Sequence, residues 1–210
     1  MIDIKHKQRP LKFSEDEAKY VWLRNLLKAY NIIDNDSHKG IKKEESKRGV
    51  KLACKKGCFY CCLRPVVPMT KWEGAGISWF VTEKLKGKNR EIVKQHLLNH
   101  RESASCPFLV DGICTIYPVR PIACRQFFVF GTPCKEDEDV ILTRERDIWT
   151  TGIDTSIKVA MNILPLYGIE DKEQILLALE DGFIVKNSKP MHEMRLEILV
   201  SGMQAYNRKT

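Results

Sequence analysis

The chain is 210 residues long, 43 % hydrophobic and 9 % aromatic, with 35 Lys plus Arg against 27 Asp plus Glu and a formal net charge of +8. That composition excludes a disordered or fibrous chain and matches one globular domain with an appendage at most. No apolar run approaches the roughly 18 residues of a membrane span, so neither a membrane-crossing segment nor a membrane partner is expected.

The stretch Met1–Lys7 has no apolar region followed by a small-residue cleavage site, so the expected compartment is the reducing cytoplasm. From there the first predicted element is a helix. Ser14 with Glu17 three residues on forms a capping-box pattern, and Ala18, Val21, Trp22, Leu26 and Tyr30 keep helical spacing. Residues 1–65 hold 16 Lys or Arg and 8 Asp or Glu, against 19 of each in the remainder, so the whole positive excess is N-terminal. Its densest part, residues 39–51, reads as an exposed linker or a frayed helix. As a footprint for nucleic acid it lacks stacking groups, because no aromatic residue lies between Tyr30 and Phe59.

A second capping box, Thr70 to Glu73, opens a helix carrying Trp72, Ile77, Phe80, Val81 and Leu85, and a third helix is expected from about Asn89 to His100. His96 and His100 stand four apart on it and could both face a metal. Their setting among Lys94, Gln95, Asn99 and Arg101 favours two exposed histidines instead. Residues 108–117 are β-branched and aromatic around Asp111-Gly112, the pattern of a two-stranded hairpin. The acidic run 136–139 marks a surface loop, and helical patterns follow near residues 146–164, 170–179 and 191–206. The expected fold class is mainly α with a small β-hairpin and an irregular, cysteine-rich, metal-stapled centre. Three segments divide it: an N-terminal helix and basic linker (1–50), a cysteine-cluster metal-binding domain (51–135), and a helical C-terminal extension packing on it (136–210).

The cysteines carry the chemistry. Cys54, Cys58, Cys61 and Cys62 fall within nine residues, and Cys106, Cys114, Cys124 and Cys134 follow. Thiols two to four residues apart let one turning loop wrap a metal ion, and in a reducing compartment such clusters bind metal rather than form disulfides. Adjacent Cys61 and Cys62 reach one ion only if the chain bends sharply between them, because neighbours in extended backbone point to opposite faces. Otherwise one is a spare thiol, or the two serve different metals or a multinuclear site. Cys54 to Cys61 also looks like the cluster motif of radical S-adenosylmethionine enzymes. The chain has neither a clear strand before Cys54 nor a repeating strand-helix pattern after it, so the barrel of those enzymes is not expected.

The run C-x-x-x-C-x-x-C-C, then Cys106-Pro107-Phe108-Leu109, Gly112-Ile113-Cys114-Thr115-Ile116-Tyr117 and Arg120-Pro121-Ile122-Ala123-Cys124-Arg125, resembles the YkgJ family of cysteine-cluster proteins, described as a zinc- or iron-chelating domain. The resemblance covers about residues 54–130. It implies that Cys54, Cys58, Cys61, Cys62, Cys106, Cys114 and Cys124 form the metal-binding constellation; Cys134 is an eighth candidate from the sequence itself. The family includes flagellin lysine N-methylases with an iron–sulfur cluster, which implies an enzymatic alternative with a protein substrate.

Around such a site Arg120, Arg125, Lys55, Lys56 and Arg64 would offset thiolate charge or donate hydrogen bonds to sulfur, although Arg120 and Arg125 could equally cap or salt-bridge a local helix. Pro121 starts a short helix carrying Cys124. All-thiolate sites suit both zinc and iron–sulfur clusters. A double cysteine in a set larger than four favours iron–sulfur, and the expected cofactor is a four-iron cluster drawing on both cysteine groups. Three function classes follow: a metal-binding protein, an iron–sulfur enzyme, and a zinc-stapled nucleic-acid binder. No Gly-rich nucleotide loop, Ser-His-Asp set or H-E-x-x-H arrangement is legible, so no catalytic residue is assigned.

Overall fold

The computed structural model describes residues 10–55, 57–63, 66–103 and 105–208. Lys56, Arg64 and the Met1–Lys7 stretch lie outside them.

Helix α1 (Ser14–Lys19) and helix α2 (Val21–Arg48) replace the single N-terminal helix expected, because Tyr20 is extended at φ −122°, ψ 99°. The expected Ser14–Glu17 capping box does not form: Phe13 is the N-cap and has no side chain that can accept, Ser14 is the first helical residue, and only Glu17 reaches back, its Oε1 accepting from the Phe13 N–H at 2.7 Å. The buried face of α2 is Leu23, Leu26, Leu27, Tyr30, Ile33 and Ile41, whereas Val21 points to solvent. The basic stretch, expected as a linker or frayed helix, is regular helix as far as Arg48. It is held there by specific contacts. Ile41 is fully buried, Gly40 backs onto the Trp149 indole, and Arg48 pairs with Glu44 at 2.6 Å while donating to the Arg146 carbonyl at 2.7 Å. Gly49, at φ +68°, ends the helix by donating to the Glu45 carbonyl, a left-handed cap that favours glycine.

Strand β1 (Pro68–Thr70) leads into helix α3 (Lys71–Trp79) through the expected capping box: Glu73 N–H donates to Thr70 Oγ1 at 3.3 Å and Thr70 N–H to Glu73 Oε2 at 2.8 Å. A π-helical turn, Phe80–Lys84, extends α3, and helix α4 (Gly87–Leu98) follows. Strands β2 (Leu109–Val110) and β3 (Ile113–Cys114) form the expected hairpin, with both turn residues at positive φ (Asp111 50°, Gly112 72°) as a type I′ turn requires. Next come helix α5 (Ile122–Arg125), strand β4 (Phe128–Val129), helix α6 (Val140–Thr143) and strand β5 (Ile148–Trp149). Helices α7 (Ile153–Ile163), α8 (Lys172–Glu180) and α9 (Phe183–Lys186), strand β6 (Ser188–Pro190) and helix α10 (Ile198–Asn207) complete the order. The fold is mostly helical. Besides the hairpin it has two antiparallel pairs joining distant segments, β1–β6 and β4–β5.

The chain divides into two compact units, each built from two stretches of sequence. Residues 57–121 and 188–210 form the cysteine unit. There β1 pairs with β6 in the register Pro68↔Pro190 and Thr70↔Ser188, and α10 packs on α4 and the π turn. Arg90, 4 % exposed, is its internal clamp. Its guanidinium donates to the carbonyls of Val81, Thr82 (2.8 Å) and Leu85 (3.2 Å) at the end of the π turn, and to Met203 O (2.8 Å) and Asn207 Oδ1 (2.9 Å) on α10. Residues 2–56 and 122–187 form the long-helix unit, where α2 packs along α7 and against α5. Ala53 N–H donates to the Val129 carbonyl at 2.8 Å, and a bridge between Leu52 and Phe130 places the chain beside the β4–β5 pair.

Candidate metal centre

Each of the eight cysteines carries a thiol rather than a disulfide. Five of them, Cys58, Cys61, Cys62, Cys106 and Cys114, belong to the cysteine unit. Cys61 and Cys62 sit on a single 3-10 turn, Tyr60–Cys62, closed by Cys62 N–H to Phe59 O (2.7 Å) and Leu63 N–H to Tyr60 O (3.1 Å). This is the sharp bend that adjacent ligands require, and the two side chains hydrogen-bond to each other. The Cys106 N–H donates to the Cys62 carbonyl at 2.7 Å, pinning a third thiol beside the turn. Leu109, whose N–H closes on the Cys106 carbonyl at 3.0 Å, pairs directly with Cys114 across the hairpin. The hairpin turn also needs its glycine: a Cβ on Gly112 would lie 3.2 Å from the Phe59 ring, which leads into the double cysteine.

The thiols influence one another. Hydrogen bonding to Cys62 lowers the Cys61 thiol to about 7, and the same bond, with burial and the nearby Cys61, Cys106 and Cys114, raises Cys62. Burial pushes Cys106 up to about 12, against the pull of the Phe108 and Leu109 N–H groups on its sulfur. Burial likewise raises Cys114, opposed by the Ile116 N–H and by the charge of Arg120. Cys61, Cys62, Cys106 and Cys114 therefore share one electrostatic neighbourhood. Arg120, 5 % exposed, caps the local 3-10 turn by donating to the Tyr117 carbonyl at 2.9 Å, lies 4.0 Å over the Tyr117 ring, and its charge favours the Cys114 thiolate.

The backbone donors were not anticipated from sequence. Their signal is local: Phe108 and Ile116 each follow a cysteine by two positions, and their N–H groups reach back to its sulfur. Hydrogen bonds to sulfur and a nearby cation are what a thiolate-bound metal needs around it. Among the described residues no group of three or more His, Cys, Asp or Glu side chains is gathered to hold a metal ion as it stands. The donor set itself, soft sulfur with amide and guanidinium support, fits zinc or iron.

The other three thiols belong to the long-helix unit, so the Cys54 to Cys62 run is divided between the units. Cys54 and Cys134 pack on one apolar cluster of Ala53, Val129 and Val140, and Val129 N–H donates to Cys54 Sγ at 3.4 Å. Cys124 lies on α5, directly after Pro121 as expected. Arg125, on the same helix, takes the salt-bridge role of the two considered: fully buried, it meets Asp34 Oδ2 at 2.5 Å and lies 3.9 Å over the Tyr30 ring.

The histidines depart from expectation. His100 is buried rather than exposed, with Nδ1 at 2.8 Å from the Leu97 carbonyl and Nε2 at 3.0 Å from the Met194 carbonyl. His96 is half-buried, with Nδ1 at 3.1 Å from the Pro107 carbonyl.

Residues 53–146 match the CxxCxxCC family model, described as a putative zinc- or iron-chelating domain. The match spans a little under half of the chain. The matched stretch takes in all eight cysteines, including Cys134, which lies beyond the span of the resemblance read from the motifs. Searches of curated proteins and of solved structures returned no match.

Proposed function

We propose that the protein binds a metal cofactor through thiolates of its chelating domain, with Cys61, Cys62, Cys106 and Cys114 at the heart of the centre and an iron–sulfur cluster preferred to zinc. The observation that carries the reading is the backbone linkage of those four thiols: one 3-10 turn holds Cys61 and Cys62, the Cys106 N–H donates to the Cys62 carbonyl at 2.7 Å, and Leu109, bonded to the Cys106 carbonyl, pairs with Cys114 across the hairpin. Cys58 is a fifth candidate ligand in the same unit, while Cys54, Cys124 and Cys134, in the other unit, are candidates from the sequence alone. A set larger than four is what favours a cluster over a single four-coordinate zinc. Arg120 and the amides of Phe108 and Ile116 would stabilise the thiolates, and the surrounding apolar residues would limit water at sulfur. A bound iron–sulfur cluster would supply one-electron redox chemistry; a zinc ion would supply a structural staple.

Anaerobic purification with metal analysis and absorption spectra tests the reading. The expected result is brown protein containing iron and acid-labile sulfide, with metal content falling in Cys106→Ser and Cys114→Ser. A colourless protein with stoichiometric zinc would rule out the cluster but keep the thiolate site. Wild-type metal content in both variants would show that these are not ligands.

A further inference from the structure

His96 is set apart from His100 by what its ring nitrogens do. A carbonyl oxygen can only accept, so His96 donates Nδ1–H to the Pro107 carbonyl, and the neutral ring then presents Nε2 as a lone pair. His100 has carbonyl oxygens against both nitrogens and offers no such lone pair. Pro107 directly follows Cys106, so the His96 ring is tethered to the peptide leading out of a thiol of the centre. His96 and Cys106 also line the same cavity of about 140 Å³, rimmed by Gln95, Asn99 and Ser103. That is room for an ion or a few water-sized groups.

We propose that His96 is a nitrogen ligand of the metal centre, binding through Nε2 alongside Cys106. The proposal rests on the reading of the four thiols as a metal site and adds a residue to it. Metal-binding histidines characteristically donate their second ring N–H to a carbonyl or carboxylate, which fixes the tautomer and aims the other nitrogen. The Pro107 carbonyl does this for His96. A neutral imidazole in place of one thiolate also reduces the negative charge gathered around buried Cys106 and half-buried Cys114. Three cysteines with one histidine is an ordinary zinc set, and histidine on an iron–sulfur cluster raises its reduction potential.

The test titrates Co²⁺ into the metal-free full-length chain and reads the sulfur-to-cobalt charge-transfer bands, the visible ligand-field bands and the affinity. His96→Ala should keep the charge-transfer bands, shift the visible bands and weaken binding by about tenfold or more, with added imidazole restoring the wild-type spectrum. His96→Cys should bind tightly and gain charge-transfer intensity, which keeps the test alive if His96→Ala fails to fold. A His96→Ala protein matching wild type in affinity and visible bands, or a His96→Cys protein with no added charge transfer, overturns the ligand assignment alone. A wild-type chain that takes up no cobalt, zinc or iron overturns the metal reading and this assignment with it.

Discussion

Arg125 shows how one buried cation organises the long-helix unit. Its guanidinium is enclosed between the Asp34 carboxylate and the Tyr30 face, and its own carbonyl accepts from Ser37 Oγ at 3.5 Å. Removing one member of a buried pair strands the other, so Arg125→Met should lower unfolding free energy by about 3–5 kcal/mol in urea denaturation, and adding Asp34→Leu should return much of it. The thiols give a second expectation at this scale. Burial raises Cys106 from 9.0 to about 12 and moves Cys114 in the same direction. Their contribution to the stability of metal-free protein is thus complete below about pH 9 and is lost as pH rises towards 12, because the unfolded chain releases those protons first. Denaturation midpoints of metal-free protein should fall across that range. A metal held by these thiols, as proposed, would have to displace the same protons, so metal affinity should rise with pH, as chelator competition at several pH values would read.

Among the elements, α2 carries both most of the basic stretch that begins at Lys39 and an unusually tight contact. A Cβ at Gly40 would lie 2.2 Å from Trp149 Cζ2. Gly40→Ala gains about 1 kcal/mol of helix propensity, but overpacking against the indole costs about 1–3 kcal/mol, so the melting temperature should drop rather than rise. The same helix separates two kinds of cation. Lys42, Lys43 and Lys47 are exposed, and neutralising them should leave the melting temperature within about a degree or two, as surface changes do. Arg48 is committed to Glu44, the Arg146 carbonyl and the Phe130 ring, so Arg48→Ala should destabilise on its own.

What was legible in the sequence follows the range of each interaction. The Thr70–Glu73 box and the Asp111-Gly112 turn are encoded within four residues and stand where the pattern put them. The continuation of α2 depends on Trp149, Arg146 and Phe130, about a hundred residues away, and a local reading of a charged stretch could not find them. The β1–β6 and β4–β5 pairs, the Arg90 clamp and the burial of His100 are hidden for the same reason. Of the thiol centre, the grouping of Cys61 with Cys62 was readable. The recruitment of Cys106 by the Cys62 carbonyl was not.

At the scale of the whole molecule, the cysteine unit contains five thiols and the long-helix unit three. If the metal is held by the four central thiols, a chelator should loosen one unit selectively. Hydrogen exchange should speed up at residues 60–62 and 106–117, while the buried face of α2 and the body of α7 keep their protection.

The pairing of β1 with β6 also has a consequence for how the protein is made. A ribosome releases residues 57–121 well before Ser188, and the interval spent translating residues 122–187 is on the order of seconds. Throughout it the thiol turns exist without the strand and terminal helix that close their unit. A centre held by those thiols would therefore be securely loaded only after translation has ended, and until then they would be open to oxidants and to the wrong ion.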